Sequence, residues 1–290
     1  MGGHESVSHM RWLSVRAVSR PRTKVEGPKQ QIARIISKMS VTRKAADAAA
    51  IAAFGLGLCL ASVDAKADGT NVRVTAPPEI NWSGWYVGAH AGWGHWNADR
   101  GYPVDEHYVQ GGNFISQSTN GWFTGGQVGF NHQFSRIVVG GELSLSNANI
   151  DTGGTFQGYP ADPPVRLTTK LSNLVTATVR VGATHGPFLF YVKGGVAGGE
   201  ITAKSWDPAP HWSETTHWTG GWIIGTGFEL FLHRNITWGI EYDFVGLEAK
   251  TFNGPVQYSS SVPALPAFQN TVIESDIRLV MTRLNFKFGP

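Results

Sequence analysis

Four carboxylates and four cations stand at inward-alternating positions of strand-like segments: Glu142, Glu229, Glu241 and Asp243 against Arg180, Lys193, Arg283 and Lys287. Paired carboxylates can carry acid–base chemistry when their surroundings differ enough to separate an acid from a base. Here each acid sits mid-segment with opposite charges available on facing segments. The set therefore reads as a salt-bridge and hydrogen-bond network filling a narrow interior, because buried charges are tolerated only when paired. No catalytic residue is assigned. A second set is His95, His107, His211 and His217, which lie among Tyr102, Tyr108, Trp206, Trp212 and Trp218. Such residues near the external strand ends and in loops form a candidate ligand site, with haem or a metal ion as its chemistry. They lack the spacing of a metal site, and the simpler reading is an aromatic girdle or surface. No cofactor is otherwise implied.

The elements that must position these groups alternate with period two. From Ser83 to Trp96 the chain reads SGWYVGAHAGWGHW, which puts Trp85, Val87, Ala89, Ala91 and Trp93 on one face. Tyr86, Gly88, His90, Gly92 and Gly94 make the other face. Small apolar residues between terminal tryptophans, backed by Gly and His, fit a lipid-facing band with interfacial aromatics and a packed lumen side. The pattern recurs over 120–133, 137–150, 168–184, 188–201, 216–232, 236–250 and 274–288. Outward positions include Trp122 and Phe130, Leu143, Val179, Val196, Trp222, Phe244, Leu284, Phe286 and Phe288. Tight turns are expected at 134–136, 185–187 and 233–235, and long loops at 97–119, 151–167, 202–215 and 251–273. Long and short connections therefore alternate over eight strands. That rhythm predicts an all-β fold, an eight-stranded antiparallel up-and-down transmembrane β-barrel spanning 82–290. Eight strands leave room for side chains to fill the interior, so a wide pore is excluded on geometry. A thin water path lined by the charges is the narrow-channel alternative.

Composition agrees. Charged residues make up 16% of the chain, against roughly 25% in soluble domains. No apolar run after the leader approaches the roughly 18 residues of a spanning helix. The net charge of +3 misleads, because residues 1–67 hold eleven Lys/Arg against four Asp/Glu, leaving 13 basic and 17 acidic residues in 68–290. The basicity belongs to the leader, and nucleic acid is excluded as a partner.

From Met39, Arg43 and Lys44 precede an Ala/Leu/Gly-rich run to Val63 and the small-residue ending Ala65-Lys66-Ala67. Residues 39–67 thus read as a secretory signal peptide, and 1–38 as a misassigned upstream extension with Met39 the true start. The single cysteine, Cys59, lies in this leader behind Leu58 rather than a small residue, which argues against lipoprotein processing. Residues 68–81, with two prolines, form a short tether on the periplasmic side.

With strands in place, NWSGWYVGAHAGWG at 81–94, GGQVGFN at 125–131, TVRVGA at 178–183, YVKGGVAGGE at 191–200, GWIIGTGFEL at 221–230, ITWGIEYDFVGL at 236–247 and RLNFKF at 283–288 carry a resemblance. In order and spacing the chain resembles the small eight-stranded outer-membrane barrels of alphaproteobacteria, the outer-membrane immunogenic or porin-family proteins, with OmpA/OmpX-like architecture. The resemblance implies a non-enzymatic surface antigen of the outer membrane linked to envelope integrity, with haem binding attributed to some members. Its partners would be the bilayer, outer-membrane lipids and the barrel assembly machinery, which would read Phe286 and Phe288 on the closing strand. Two departures stand out: Arg283 occupies a position that usually carries Gly in the assembly signal, and Gly289-Pro290 follow the terminal aromatic.

Overall fold

The computed structural model describes residues 80–102, 114–156, 164–206, 211–252, 257–258 and 271–289. The expected extension at 1–38, the leader at 39–67 and nearly all of the tether lie outside these residues. Eight long strands form one sheet: β1 (Gly84–Gly101), β2 (Phe114–Phe134), β3 (Ile137–Phe156), β4 (Val165–His185), β5 (Phe188–Trp206), β6 (His211–His233), β7 (Ile236–Phe252) and β9 (Thr271–Phe288). A two-residue strand, β8 (Gln257–Tyr258), lies beside the start of β6. Every neighbour is antiparallel, β5 pairs with β6, and β1 pairs with β9, so the sheet closes on itself.

The registers fix the geometry of the ring. Stepping through paired residues from Trp85 to Phe130, Gly141, Val179, Gly194, Ile224, Phe244 and Arg278 returns to β1 at His95, ten residues from the start. For eight strands that stagger implies a tilt of about 40° and a backbone radius of about 8 Å. Each residue then advances roughly 2.5 Å along the barrel axis.

Period-two alternation makes the wall. On the outer face Trp85, Val87 and Trp93 of β1, Leu143 and Leu145 of β3, Val179 of β4, Val196 of β5, and Val280, Leu284 and Phe286 of β9 are all exposed. The band covers about nine residues per strand, roughly 22 Å, close to the ~25 Å apolar height of an outer-membrane barrel. Aromatic pairs edge it: Trp85 and Phe130 with ring centroids 5.2 Å apart at the end with short turns, and Trp93 and Trp122 at 4.8 Å at the other. Phe244, expected to face lipid, is on the outer face by register but fully buried, with the Trp222 ring at 5.4 Å and the Arg278 guanidinium at 5.9 Å.

The three tight turns are two residues long, at Ser135-Arg136, Gly186-Pro187 and Arg234-Asn235. Gly186 takes φ 57° there, a left-handed conformation that costs glycine little. The strands outrun expectation at the opposite end. They hold 17 to 23 residues, about twice the roughly 9–11 needed to cross the hydrocarbon. Segments expected as loops, such as Asp151 to Phe156 and Val165 to Leu167, are paired strand. Gly153-Gly154 resembled a turn, yet both residues sit in the β3–β4 ladder, where loop-directed strands meet water instead of lipid.

Candidate functional site

The interior is layered. At the short-turn end Trp82, Val138, Leu189 and Tyr191 form an apolar plug, with Ile80 and Phe231 packed on it. The Trp82 indole lies 4.4 Å from the Phe231 ring, and its backbone N–H donates to Gln133 Oε1 at 2.7 Å. Chain expected as tether therefore turns into the barrel mouth at Ile80. Lys287 stands apart from the other cations, at this mouth, where its Nζ donates to the Asn81 carbonyl at 2.7 Å.

The middle layer gathers Glu142, Arg180, Lys193, Glu229, Glu241, Asp243 and Arg283, all buried. Alternation places each on the inner face, and cross-strand register sets their heights. Arg283 is the hub. Its Nη1 donates to Glu241 Oε2 at 2.5 Å, its Nη2 donates to Glu142 Oε2, and its Nε lies 3.7 Å from Glu229 Oε1. Arg180 Nη1 donates to Glu229 Oε1 at 2.7 Å and its Nε to Asn131 Oδ1 at 2.9 Å. Lys193 Nζ reaches Glu241 Oε1 at 2.5 Å and Asp243 Oδ2 at 3.0 Å. Four acids thus meet three cations, and neutral donors reach some of the remaining acceptors, as with Thr237 and Asn285 on Glu229 Oε2 at 3.0 and 3.2 Å.

Two rungs of this layer repeat on opposite walls. Tyr86 of β1 pairs across Gly129 of β2 to Glu142 of β3, and Tyr191 of β5 pairs across Gly227 of β6 to Glu241 of β7. Each tyrosine donates to its glutamate, at 2.7 and 2.6 Å. The glycines are required because a Cβ at either would collide with the tyrosine hydroxyl lying over it. Between the two rings sits the Arg180 guanidinium, 4.7 Å from Tyr86 and 5.1 Å from Tyr191, so each π-face offsets part of the cost of burying a cation. Beside the network His90 is held by Gln127 Oε1 at 2.7 Å and Ser146 Oγ at 2.8 Å. The void among His90, Gln127, Ser144 and Arg283 measures about 10 Å³, at the lower limit for one water.

Above the charges the inner face is mainly hydrocarbon, with buried Thr219 and Ser275 among it and, farther up, buried Arg100 donating to Thr169 Oγ1 at 2.7 Å and the Thr168 carbonyl at 2.6 Å. Seventeen buried side chains, among them Trp96, Phe123, Leu171, Ile223, Leu247, Ile277 and Leu279, pack as one cluster across the lumen. A smaller cluster of Tyr102, Val165 and Leu167 tops it. Sequence reading found the seven charges, added Lys287 to them and placed both tyrosines inward, but missed the tyrosine–glutamate pairing and this apolar layer. The signal was present in the inward positions of the loop-directed strand ends, where Ile, Leu and Phe alternate with outward polar residues.

His95 and His217, the two of these histidines whose side chains are described, do not converge. His95 is on β1, paired with Asn120 and Arg278, and its ring nitrogens lie 2.8 Å from Asn120 Oδ1 and 3.2 Å from Asn97 Oδ1. His217 is on β6, its ring 5.3 Å from the Phe252 ring that belongs to the apolar layer. His211 begins β6, opposite Tyr258, and His107 lies outside the described residues. The ring order explains the separation: His95 points outward from β1 and His217 inward from β6, strands that are not neighbours in the sheet. Among the described residues no trio of His, Cys, Asp or Glu is gathered around a metal-sized site. Phe286 and Phe288 face outward at the short-turn rim, 53% and 43% exposed, with Phe288 paired to Trp85 at the β1–β9 seam.

Comparison with known proteins agrees with this architecture. The family model described as "Outer membrane protein beta-barrel domain" matches residues 51–259. The 22 kDa outer membrane protein of Rhizobium leguminosarum bv. viciae is 31% identical over 180 residues, covering 61% of this chain and 69% of that protein. Among solved structures, OprG from Pseudomonas aeruginosa aligns with a TM-score of 0.40 at 12% identity over 72% of this chain and 97% of its own. The outer membrane protease OmpT from Escherichia coli aligns with 0.45 at 8% identity over 71% and 97%. The family match spans more than half of the 290 residues, and the chain belongs to the outer membrane protein beta-barrel domain family, an eight-stranded barrel of the outer membrane.

Proposed function

We propose that the protein is a sealed barrel, a structural and surface-presenting element of the outer membrane rather than a pore or an enzyme. The observation that carries this reading is the seventeen-residue apolar layer lying across the lumen above the charge network. Ions crossing there would give up most of their hydration with only a few side chains such as Thr219 and Ser275 to replace it, a costly exchange for a bare charge. Below it, the carboxylates that could do acid–base work are held by Arg283, Arg180 and Lys193 in a site with space for one water at most. Support for a surface role comes from the strands, which continue well past the apolar band and carry the loops away from the membrane. In this reading Phe286 and Phe288 present the closing strand to the barrel assembly machinery, and Arg283 serves the lumen at the cost of the usual glycine.

The test is single-channel conductance of the folded protein in a planar bilayer, after its gel migration is shown to differ between heated and unheated samples. Silence is the expected result. Stable ohmic steps whose ion selectivity changes in Glu241→Gln or Arg180→Gln would replace the sealed barrel with a narrow, charge-lined channel.

A further inference from the structure

Above the apolar band, β5 and β6 continue together as a two-stranded wall, and their outward cross-strand pairs can be read upward rung by rung. Val196 and Trp222 make the last rung of the band, and the next is Gly198 opposite Gly220. Glu200 then faces Trp218, Thr202 faces Thr216, Lys204 faces Glu214, and Trp206 faces Trp212. Three tryptophans on this short face are exposed, Trp206 by 54%, Trp212 by 42% and Trp218 by 50%. A girdle explains Trp222 at the band's edge. It does not explain indoles about 10 and 25 Å farther out, at roughly 2.5 Å of axial rise per residue. Trp206 and Trp212 stand side by side across the two strands, with Trp218 three rungs below them, so flat rings are presented at two heights with polar rungs between.

The polar groups around the rings narrow the chemistry. The Trp218 ring leans over Gly198, where a Cβ would stand 3.8 Å from it, and Gly220 opens on unobstructed space. This leaves a flat aromatic platform on a side-chain-free floor. Lys204 and Glu214 neutralise each other at 3.0 Å, and Glu200 is engaged by Asn173 Nδ2 at 2.5 Å. On the adjoining β4, Arg166 is opposite Trp206 and Lys170 opposite Thr202. Neither makes an ion pair among the described residues, although Asp151 stands across from Lys170. Thr202 and Thr216, whose hydroxyls are 2.8 Å apart, lie between the platforms. Aromatic plates, hydroxyls and two uncommitted cations on one sheet face match a phosphorylated saccharide: rings stack, hydroxyls exchange hydrogen bonds, and phosphates take the charge-assisted contacts.

We infer that this outer face of β4, β5 and β6 binds the anionic core saccharide of lipopolysaccharide in the surrounding leaflet. Continuity selects that source, because the first binding rung begins immediately above the last lipid-facing pair, where a glycolipid's acyl chains end and its sugars begin. The inference rests on the barrel's place in the outer membrane and is independent of whether the lumen conducts.

The test uses the full chain folded in phosphatidylcholine vesicles and titrated calorimetrically with deacylated, phosphorylated core oligosaccharide. Saturable binding is expected, weakening as salt rises. It should fall about tenfold in Trp218→Ala and again in Arg166→Gln/Lys170→Gln, each losing a stacking or charge-assisted contact. Heat-modifiable migration of the same samples verifies that the variants are folded. Absence of oligosaccharide binding while intact lipopolysaccharide is retained would assign recognition to the acyl chains and overturn the inference. Equal affinity in the variants, or equal binding of neutral dextran, would overturn it too. Conductance in the planar bilayer bears only on the sealed lumen, so the two readings fail separately.

Discussion

Replacing Arg283 by Met removes the cation that Glu142 and Glu241 share and leaves both carboxylates in a buried layer. Lys193 still holds Glu241 at 2.5 Å, and Tyr86 still donates to Glu142 at 2.7 Å, but Glu142 keeps no other ion pair among the described residues. Removing one partner of a buried pair costs about 3–5 kcal/mol, mainly the burden of an uncompensated buried charge. Since about 1.4 kcal/mol is a factor of ten, the folding equilibrium should shift by roughly 150- to 5,000-fold. With a urea dependence of about 1–3 kcal/mol per molar, the unfolding midpoint should drop by one molar or more. The assay is equilibrium urea unfolding of the folded protein in lipid, read by the gel shift between folded and unfolded forms. The triple variant Arg283→Met/Glu142→Gln/Glu241→Gln removes the orphaned charges together with the cation and should recover most of the loss. The reasoning is refuted if Arg283→Met shifts stability by less than about 1 kcal/mol, a size expected of a surface pair. It is equally refuted if the triple variant is no more stable than the single one.

Depth along the outer face should set the cost of a charge. Val179→Arg, at a position 68% exposed in the middle of the band, should cost about 2–4 kcal/mol in lipid, whereas Thr155→Arg near the far end of β3 should be close to neutral in the same urea series. Gly225→Ala should destabilise by about 1–3 kcal/mol, since its Cβ would land on Asp243 Oδ1 and drive that carboxylate off Lys193; an unchanged midpoint would show that Asp243 can move freely. Phe123→Ala in the apolar layer, where the ring is fully buried, should cost about 3–5 kcal/mol, and a smaller loss would mean the layer is loosely packed.

The central nine residues of each strand were legible because lipid outside and a packed interior inside impose opposite demands on successive side chains. Trp85, Val87 and Ala89 against Tyr86, Gly88 and His90 read as a strand on their own, and the recurrence of the pattern along the chain made it a membrane strand. The tight turns were legible from Gly186-Pro187 and from their short spacing. Strand ends were not, since above the band the outer face turns polar and the inner face apolar. The contrast inverts there without disappearing, so Val165, Leu167 and Ile273 looked like isolated hydrophobics in loops when they are rungs of an apolar core. The seven central charges followed from period two alone, but their pairing depends on the ten-residue stagger of the ring, which no single segment contains. The pairing of Tyr86 and Tyr191 was hidden for the same reason: each becomes a carboxylate partner only when a glycine strand lies between it and its glutamate.

The repeated Tyr–Gly–Glu rungs bear on the order of assembly. Glu142 and Glu241 are carried on opposite walls by β3 and β7, both ahead of the final strand in the chain, while the arginine that bridges them arrives on β9. An open sheet lacking that strand exposes seam edges, strips Glu142 of its arginine and leaves Glu241 to share Lys193 with Asp243. Hydrogen-bond closure at the β1–β9 seam and charge neutralisation in the lumen are therefore one event. Partly closed barrels are disfavoured twice over, and the strand that completes the ring also acts as its electrostatic latch.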